Sequence, residues 1–203
     1  PASILRQRRI GLRARRTTLP RRGIKAEPDE VLVTMGAQNA PWLSANVLRN
    51  QRRTAALANP CYPSRRASLA QSRCQVASIE VDAGGLPPDA LPVDIDVVFT
   101  ILSYQCPTAT TLHFDRRRAL LQRASEQDFL IVEDDYEFEM SFLKAPSPAL
   151  KSLDREGRVI YVGSFSKSLF PGLRLGYLVG SKHFIREARA LRPTVLRHPP
   201  GHI

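Results

Sequence analysis

The chain has 203 residues and a formal net charge of +11, and 43% of its residues are apolar while 24% are charged. This balance is typical of a globular protein and too apolar for a disordered chain, and no uncharged apolar run is long enough for a transmembrane helix. The three cysteines are odd in number and lack metal-ligand spacing, so we expect no metal site, no disulfide framework and a cytoplasmic location.

The first 26 residues form a basic leader. It contains eight arginines and Lys25 before the first acidic residue, Glu27, and therefore carries nine of the eleven net charges. Its apolar residues make only a narrow stripe between the arginines, so we expect residues 1–26 to be disordered or foreign to the fold. An arm that contacts phosphates is the alternative. Because the remaining residues are nearly neutral, nucleic acid is not expected as the main partner of the body.

From Asp29 onward, short apolar runs alternate with longer amphipathic segments. Strands are predicted at 31–34, 54–57, 75–81, 96–101, 129–132, 158–162 and 175–179, and helices at 38–50, 63–72, 115–127 and 182–191, with Asp115 as an N-cap. Continuously apolar strands separated by helices predict an α/β fold with a mostly parallel sheet covered by helices on both faces. Ligands of such sheets bind at the carboxyl ends of the strands, so the residues that follow the strands are the candidates for chemistry.

The strand at 158–162 is followed by Lys167, which lies between Ser164 and Ser166 on one side and Arg174 on the other. An amine can lose its proton and form a Schiff base, whereas a guanidinium cannot. The hydroxyls and the arginine are suited to hold a phosphate beside it. A surface lysine in a turn has the same spacing, so this pattern alone leaves both interpretations open.

The strand at 129–132 is followed by three acids and a phenol, Glu133 to Tyr136. A solvated turn is one interpretation. The alternative is a site in which one carboxylate pairs with a protonated ring nitrogen and the phenol reaches a ring hydroxyl. A metal site is a third, which the absence of a nearby histidine disfavours. Separately, the turn Gly36-Ala37-Gln38 precedes a predicted helix, whose first backbone N–H groups would point at an anion.

Six runs of the sequence together resemble one family. They are Asp29–Gln38, Asn59–Pro63, Ser103–Thr108, Val132–Tyr136, Gly157–Tyr177 and Leu196–Pro200. In order and spacing they resemble the cofactor-binding domain of MocR-type regulators, which couple a GntR-type winged helix to an aminotransferase-like domain of fold type I. The resemblance covers residues 24–203, and the run that contains Lys167 is its most specific part.

The resemblance implies pyridoxal 5′-phosphate as the cofactor, held as an internal aldimine on Lys167, the expected catalytic residue. Asp134 matches the carboxylate that keeps the pyridine nitrogen protonated, so that the ring acts as an electron sink. Tyr136 would approach the ring hydroxyl, and Tyr62 would lie against the ring face. The phosphate would be held by the remaining matched residues, which are Gly36, Ala37, Gln38, Ser164 and Arg174.

Several positions depart from the family pattern. Leu102-Ser103-Tyr104 stands in place of Pro-Ser-His, and Ala109 replaces the glycine of a Pro-Thr-Gly turn, where a positive φ would strain the backbone. Residues 1–23 match neither the winged helix of the family nor the helix that normally opens its cofactor domain, and no small C-terminal domain follows the body. We therefore expect a fragment that consists of the leader and a partial cofactor-binding large domain, residues 27–203.

Three functional hypotheses follow. The first is the pyridoxal-phosphate-binding domain of a MocR-type regulator, which residues 157–200 favour. The second is a stand-alone class I/II aminotransferase, and the third is a truncated product without function. Transaminase activity is left open. The resemblance implies an amino acid or amine as substrate or effector, a homodimer in the full-length protein and DNA contact through a winged helix only, without a membrane partner.

Overall fold

The computed structural model describes residues 2–48, 54–72, 74–136, 147–167, 172 and 174–194, with side chains from residue 7 onward. The strands are β1 Val31–Thr34, β2 Thr54–Asn59, β3 Gln75–Glu80, β4 Val97–Thr100, β5 Leu130–Asp134, β6 Val159–Ser164 and β7 Gly176–Val179. The helices are α1 Ala2–Arg13, α2 Leu19–Arg21, α3 Gly36–Leu48, α4 Pro63–Gln71, α5 Phe114–Glu126, α6 Leu150–Leu153 and α7 Lys182–Leu191, and Ala14–Thr18 form a π-helical turn between α1 and α2.

The predicted strands and long helices of the body are confirmed within the described residues, with ends that differ by at most two residues. The last two residues predicted for the helix at 38–50 lie outside the described residues. The N-cap prediction at Asp115 is wrong. Helix α5 already begins at Phe114, its N-cap position is His113, and Asp115 lies inside the first turn. There its negative charge still complements the helix dipole.

The seven strands form one sheet in the order β1-β7-β6-β5-β4-β2-β3. Strands β2 to β6 pair in parallel, and β7 alone runs in the opposite direction, since it is antiparallel to both β6 and β1. The prediction of a mostly parallel α/β sheet is therefore confirmed. The carboxyl ends of β2, β4, β5 and β6 lie along one edge.

Two helical layers cover the sheet. We define the front face as the face of the sheet that packs against α3, α4 and α7. Its contacts include Leu43 of α3 and Ile185 of α7. The back face packs against α5 and α6 through residues such as Leu120 and Leu150. No helix among the described residues is both long and apolar enough to cross a membrane.

The basic leader differs from the prediction. Instead of being disordered, residues 2–21 are helical, and Ala14 and Leu19 are buried with Tyr161 and Tyr177 on the back face. Arg22 is only 1% exposed. The narrow apolar stripe is sufficient for packing because the π-helical turn and α2 direct its residues toward the sheet, while Arg8, Arg9, Arg13 and Arg16 remain in solvent.

Candidate active site

A cleft of about 480 Å³ lies where the carboxyl ends of strands β5 and β6 meet the first turn of α3. The carboxyl ends of parallel strands share one edge of a sheet, which is why residues distant in sequence converge there. Eight of the nine predicted site residues line this cleft, namely Ala37, Gln38, Tyr62, Asp134, Tyr136, Ser164, Lys167 and Arg174. The ninth, Gly36, lies directly beside Arg174.

The acids at the end of β5 are all buried, which excludes the solvated turn. Glu133, Asp134 and Asp135 are 0%, 2% and 2% exposed. Strand β5 extends to Asp134, so successive side chains alternate between the faces of the sheet. Asp134 is directed to the front face and the cleft, whereas Glu133 and Asp135 have their partners on the back face.

Asp134 is an incompletely bonded carboxylate. Its Oδ2 atom forms an ion pair with Arg65 Nη2, and its Oδ1 atom is buried without a hydrogen-bond partner among the described residues. Burial raises the pKa of Asp134, and the charge of Arg65 opposes this rise. A buried polar atom without a partner is unfavourable in a native protein, so Oδ1 is suited to receive a donor from a ligand.

The first turn of α3 forms an anion cradle with Arg174. Gly36 has a φ of +70°, and a Cβ atom there would lie 3.1 Å from Arg174 Nη2. Arg174 itself has a φ of +47°, an uncommon conformation for a residue with a side chain. The backbone N–H groups at the start of a helix attract anions, and the guanidinium adds a positive charge, so this corner of the cleft is suited to a phosphate.

Lys167 follows β6 and is the one lysine among the described residues that line the cleft. Lys151 and Lys182 do not line the cleft, and they form ion pairs with Asp154 and Asp29, at 2.9 and 3.0 Å. Ser164 lies on the same face of β6 as the cleft, and its Oγ accepts a hydrogen bond from the backbone N–H of Ser166 at 3.1 Å.

Among the lining residues that were not predicted as site residues, three have long polar side chains that reach the cleft. They are Arg65, in the first turn of α4, and Tyr104 and Gln105, which follow β4. Tyr62 was predicted, and the helix that begins at Pro63 brings Arg65 back to the same side of the chain. The short spacing between Tyr62 and Arg65 at the start of a helix could therefore have indicated Arg65 from the sequence. Ala109, at the turn after β4, has a φ of +56°, so the backbone is left-handed at the position where alanine replaces the glycine of the family pattern.

The acids on the back face have complete hydrogen bonding. Glu133 accepts the backbone N–H groups of Leu150 and Lys151 at 2.8 and 2.9 Å. Burial, with the nearby charge of Asp135, raises the pKa of Glu133 to about 7. Because donors within the chain already occupy both of its oxygens, Glu133 has the surroundings of a structural residue.

Asp135 is held by Arg22, Ser103 and Tyr161. Arg22 Nε, Ser103 Oγ and Tyr161 OH donate to its two oxygens at 2.6, 2.7 and 2.8 Å. Burial alone would lower the pKa of Arg22, but the charge of Asp135 raises it above the ordinary value. No group of acids, histidines and cysteines suited to a metal ion occurs in the part of the chain that the structure describes.

The chain matches a family of aminotransferases and is similar in sequence to transcriptional regulators. The family model "Aminotransferase class I and II" matches residues 12–201. The chain is 58% identical over 188 residues to the HTH-type transcriptional regulator TauR of Rhodobacter capsulatus and 34% identical over 160 residues to the probable rhizopine catabolism regulatory protein MocR of Rhizobium meliloti. These matches use 93% and 78% of the chain but 39% and 32% of the relatives, so the chain spans less than half the length of either. The predicted resemblance to MocR-type regulators is confirmed.

Solved structures of aminotransferases have the same fold. An archaeal alanine:glyoxylate aminotransferase superimposes with a TM-score of 0.85 at 27% identity, over 96% of this chain and 50% of that one. The α-aminoadipate aminotransferase LysN of Thermus thermophilus, complexed with N-(5′-phosphopyridoxyl)-L-leucine, gives 0.80 at 27% identity, over 97% and 57% of the two chains. The family match begins within the leader, which agrees with the packing of α2 on the sheet.

Proposed function

Because the chain belongs to the aminotransferase class I and II family, we propose that it is the pyridoxal-phosphate-binding domain of a MocR-type transcriptional regulator. One observation carries the proposal. A single cleft collects an amine, a buried carboxylate with an unpartnered oxygen, an aromatic ring and an anion cradle. The 58% identity to TauR favours the regulator over a free enzyme.

The residues present fit this cofactor. Lys167 offers the amine that would bind the aldehyde, and Asp134 Oδ1 lacks the donor that a protonated ring nitrogen would supply. Tyr62 is half exposed at the cleft, with an aromatic face available for a planar ring. Arg174 and the turn at 36–38 would hold the phosphate, and Ser164 contributes a hydroxyl beside them.

When bound, pyridoxal phosphate supplies an electron sink that stabilises negative charge on the carbon next to an amine. The chain's own residues prepare that chemistry. Asp134 would hold a proton at the ring nitrogen, because a carboxylate in a buried position gains from a cationic partner. Lys167 would be placed to accept or return a proton at an amino substrate, and Tyr136 supplies a phenol at the same edge of the cleft.

The proposal extends to the effector and to the partners of the complete protein. An amino acid or amine is the class of effector that would suit this cofactor, because its amine would bind the aldehyde by the same chemistry as the Lys167 amine. A homodimer and a cytoplasmic location fit a DNA-binding regulator of this kind. DNA contact is assigned to a winged helix of the complete protein and not to the residues of this chain.

A stand-alone aminotransferase is the second candidate, supported by the TM-score of 0.85 to an archaeal enzyme. The two functions use the same cofactor residues. Selection of bound duplexes from a random DNA library by the complete protein separates them. A regulator enriches one sequence and responds to an amine, whereas an enzyme enriches none and converts amino acids to oxo acids.

The cofactor proposal is tested by titrating the purified protein with pyridoxal phosphate and recording visible absorption. We expect a band that borohydride removes, that Lys167→Ala lacks and that Lys182→Ala retains, since Lys182 is paired with Asp29 away from the cleft. Circular dichroism confirms that each variant is folded. No band in the folded wild-type protein, or a band retained in Lys167→Ala, contradicts the proposal.

A further inference from the structure

One buried network on the back face joins the leader to the chain after β4 and β5 and to β6. Arg22 belongs to the leader, Ser103 follows β4, Asp135 follows β5 and Tyr161 lies in β6. These four residues, which we call the Arg22 network, are between 0% and 9% exposed. None of them lines the cleft, so the proposed function assigns them no contact with the cofactor.

Arg22 bridges two of these segments directly. Its Nε atom donates to Asp135 Oδ2 at 2.6 Å, and its Nη2 atom donates to Ser103 Oγ at 3.2 Å. Ser103 Oγ in turn donates to Asp135 Oδ1 at 2.7 Å. Because Tyr161 OH also donates to Asp135, both oxygens of this carboxylate are held. A side chain of the leader therefore fixes the chain after β4 and β5 from the back of the sheet.

The Arg22 network lies directly behind residues that line the cleft. Asp135 is between Asp134 and Tyr136 in the chain, Ser103 immediately precedes Tyr104, and these three neighbours all line the cleft. Side chains alternate between the faces of the sheet at the end of β5, so Asp134 faces the cleft while Asp135 is held on the back face. A displacement of Asp135 therefore displaces Asp134, and a shift of about 1 Å is enough to impair a site.

We propose that Arg22 is a positioning residue for the cofactor cleft, so that docking of the leader on the sheet and binding of pyridoxal phosphate are coupled. The inference rests on the function proposed above. With Arg22 in place, the chain after β4 and β5 is held in one arrangement, which presents Asp134 and Tyr104 to the cleft together. Coupling between two sites is reciprocal, so the bound cofactor holds the leader on the sheet by the same factor by which the docked leader favours the cofactor.

The chain offers a matched control in Arg117 of α5, which is 1% exposed like Arg22. Arg117 donates to the carbonyls of Leu112, Leu102 and Pro148 at 3.0, 3.1 and 2.6 Å. None of these three residues adjoins a residue that lines the cleft. Replacement of either arginine by glutamine removes a buried guanidinium, but only the replacement of Arg22 releases the chain neighbour of Asp134.

The test measures cofactor affinity and opening of the leader in Arg22→Gln and Arg117→Gln. Absorbance titration gives the Kd for pyridoxal phosphate, and hydrogen exchange followed by mass spectrometry gives the opening of residues 14–21 with and without the cofactor. Circular dichroism confirms that each variant is folded, and thermal melts give Tm. Ser103→Ala removes the hydroxyl between Arg22 and Asp135 and remains usable if Arg22→Gln does not fold.

We expect both glutamine variants to have a lower Tm, because each loses buried hydrogen bonds. The Kd of Arg22→Gln should rise about fivefold, at the lower end of typical coupling between sites, and that of Ser103→Ala by a smaller factor. The Kd of Arg117→Gln should stay within about twofold of the wild-type value. The cofactor should slow exchange of residues 14–21 about fivefold in wild type and Arg117→Gln, but not in Arg22→Gln. A merely structural role lowers Tm in both variants without this difference.

Three outcomes overturn the inference. An unchanged Kd in a folded Arg22→Gln, or in Ser103→Ala in its place, means that the Arg22 network supports only the fold. Equal rises in the Kd of Arg22→Gln and Arg117→Gln mean that any loss of stability weakens the site. Exchange of residues 14–21 that does not respond to the cofactor in wild type means that the leader and the cleft are uncoupled. If wild type forms no absorption band, the proposed function fails as well, and this result is distinct from a normal band with an unaltered Kd.

Discussion

Strand β5 places buried acids on both faces of the sheet, and their surroundings differ. On the back face, Glu133 accepts two backbone N–H groups and Asp135 accepts three side-chain donors. On the front face, Asp134 is bonded to Arg65 through one oxygen while the other has no partner within the described residues. Burial is the same, so burial alone does not distinguish a structural acid from a ligand-binding one. The two kinds of acid are distinguished by whether both carboxylate oxygens have hydrogen-bond partners.

The largest expected effect comes from breaking the back-face network at Arg22. In Arg22→Ala the buried Asp135 loses its cation, and we expect the free energy of unfolding to fall by about 3–5 kcal/mol. Urea denaturation measures this change. Arg16→Ala, at an exposed position of the same leader, should change stability by no more than about 0.5 kcal/mol. Similar losses in both variants would mean that Arg22 contributes little through its pairing.

The second expected effect is the pH dependence contributed by Glu133. Its pKa in the folded protein is about 7 against an ordinary value of 4.5, so the folded state holds a proton that the unfolded state has lost. The resulting stability is fully present below pH 4.5 and is lost as the pH rises toward 7. The loss amounts to about 3 kcal/mol, since one pKa unit corresponds to about 1.4 kcal/mol.

Glu133→Gln removes this titration. Between pH 4.5 and 7 its free energy of unfolding should therefore decline less steeply than that of wild type, as measured by urea denaturation at each pH. The two proteins share every other titrating group, so the difference in slope reports on Glu133. Parallel curves would show that Glu133 is already ionised at the acidic end of the range.

The third expected effect contrasts the two aspartates. Asp134→Asn should weaken pyridoxal phosphate binding at least about tenfold, because a neutral amide no longer favours a protonated ring nitrogen. Asp135→Asn should mainly lower stability, because its partners lie on the back face. Absorbance titration and urea denaturation of both variants test the contrast. Equal effects on cofactor affinity would contradict the distinction between the faces.

The smallest expected effect is at the strained turn after β4. Ala109 has a φ of +56°, and glycine adopts this conformation without a steric penalty, so Ala109→Gly should raise stability by about 0.5–1 kcal/mol. Ala67→Gly, at an exposed position in α4, should lower stability by about 1 kcal/mol. Thermal melts measure both changes. The same sign in both variants would mean that the turn is unstrained.

The strands, the sheet type and the convergence at Lys167 could be predicted from the sequence. Apolar runs such as 31–34 and 158–162 are local signals, and the rule that parallel strands present ligands at their carboxyl ends brings distant residues together. The roles of the nine predicted site residues remain predictions, although eight of them line one cleft and Gly36 lies beside Arg174.

The orientation of the acids could not be predicted, because the predicted strand ended at Val132. In the structure β5 continues to Asp134, so the alternation of faces extends through Glu133 and Asp134. Polar residues at a strand end resemble a turn in sequence. Only their burial and their partners distinguish the two possibilities.

The leader was mispredicted because its charge dominated the interpretation. Arg22 forms its ion pair with Asp135, a residue 113 positions away in the chain, and no local pattern reports such a pair. The same limitation applies to Arg65, which contacts Asp134 at a separation of 69 positions. Long-range ion pairs of this kind determine which charges are structural and which belong to the site.

The most direct measurement of the central claim is to locate the cofactor on the chain. The protein is loaded with pyridoxal phosphate, reduced with borohydride, digested and examined by peptide mass spectrometry. The account predicts a pyridoxyl phosphate group on the peptide that contains Lys167 and none on the peptides of Lys151 and Lys182, which are paired with acids. Modification of another lysine in place of Lys167, or of none, would contradict it.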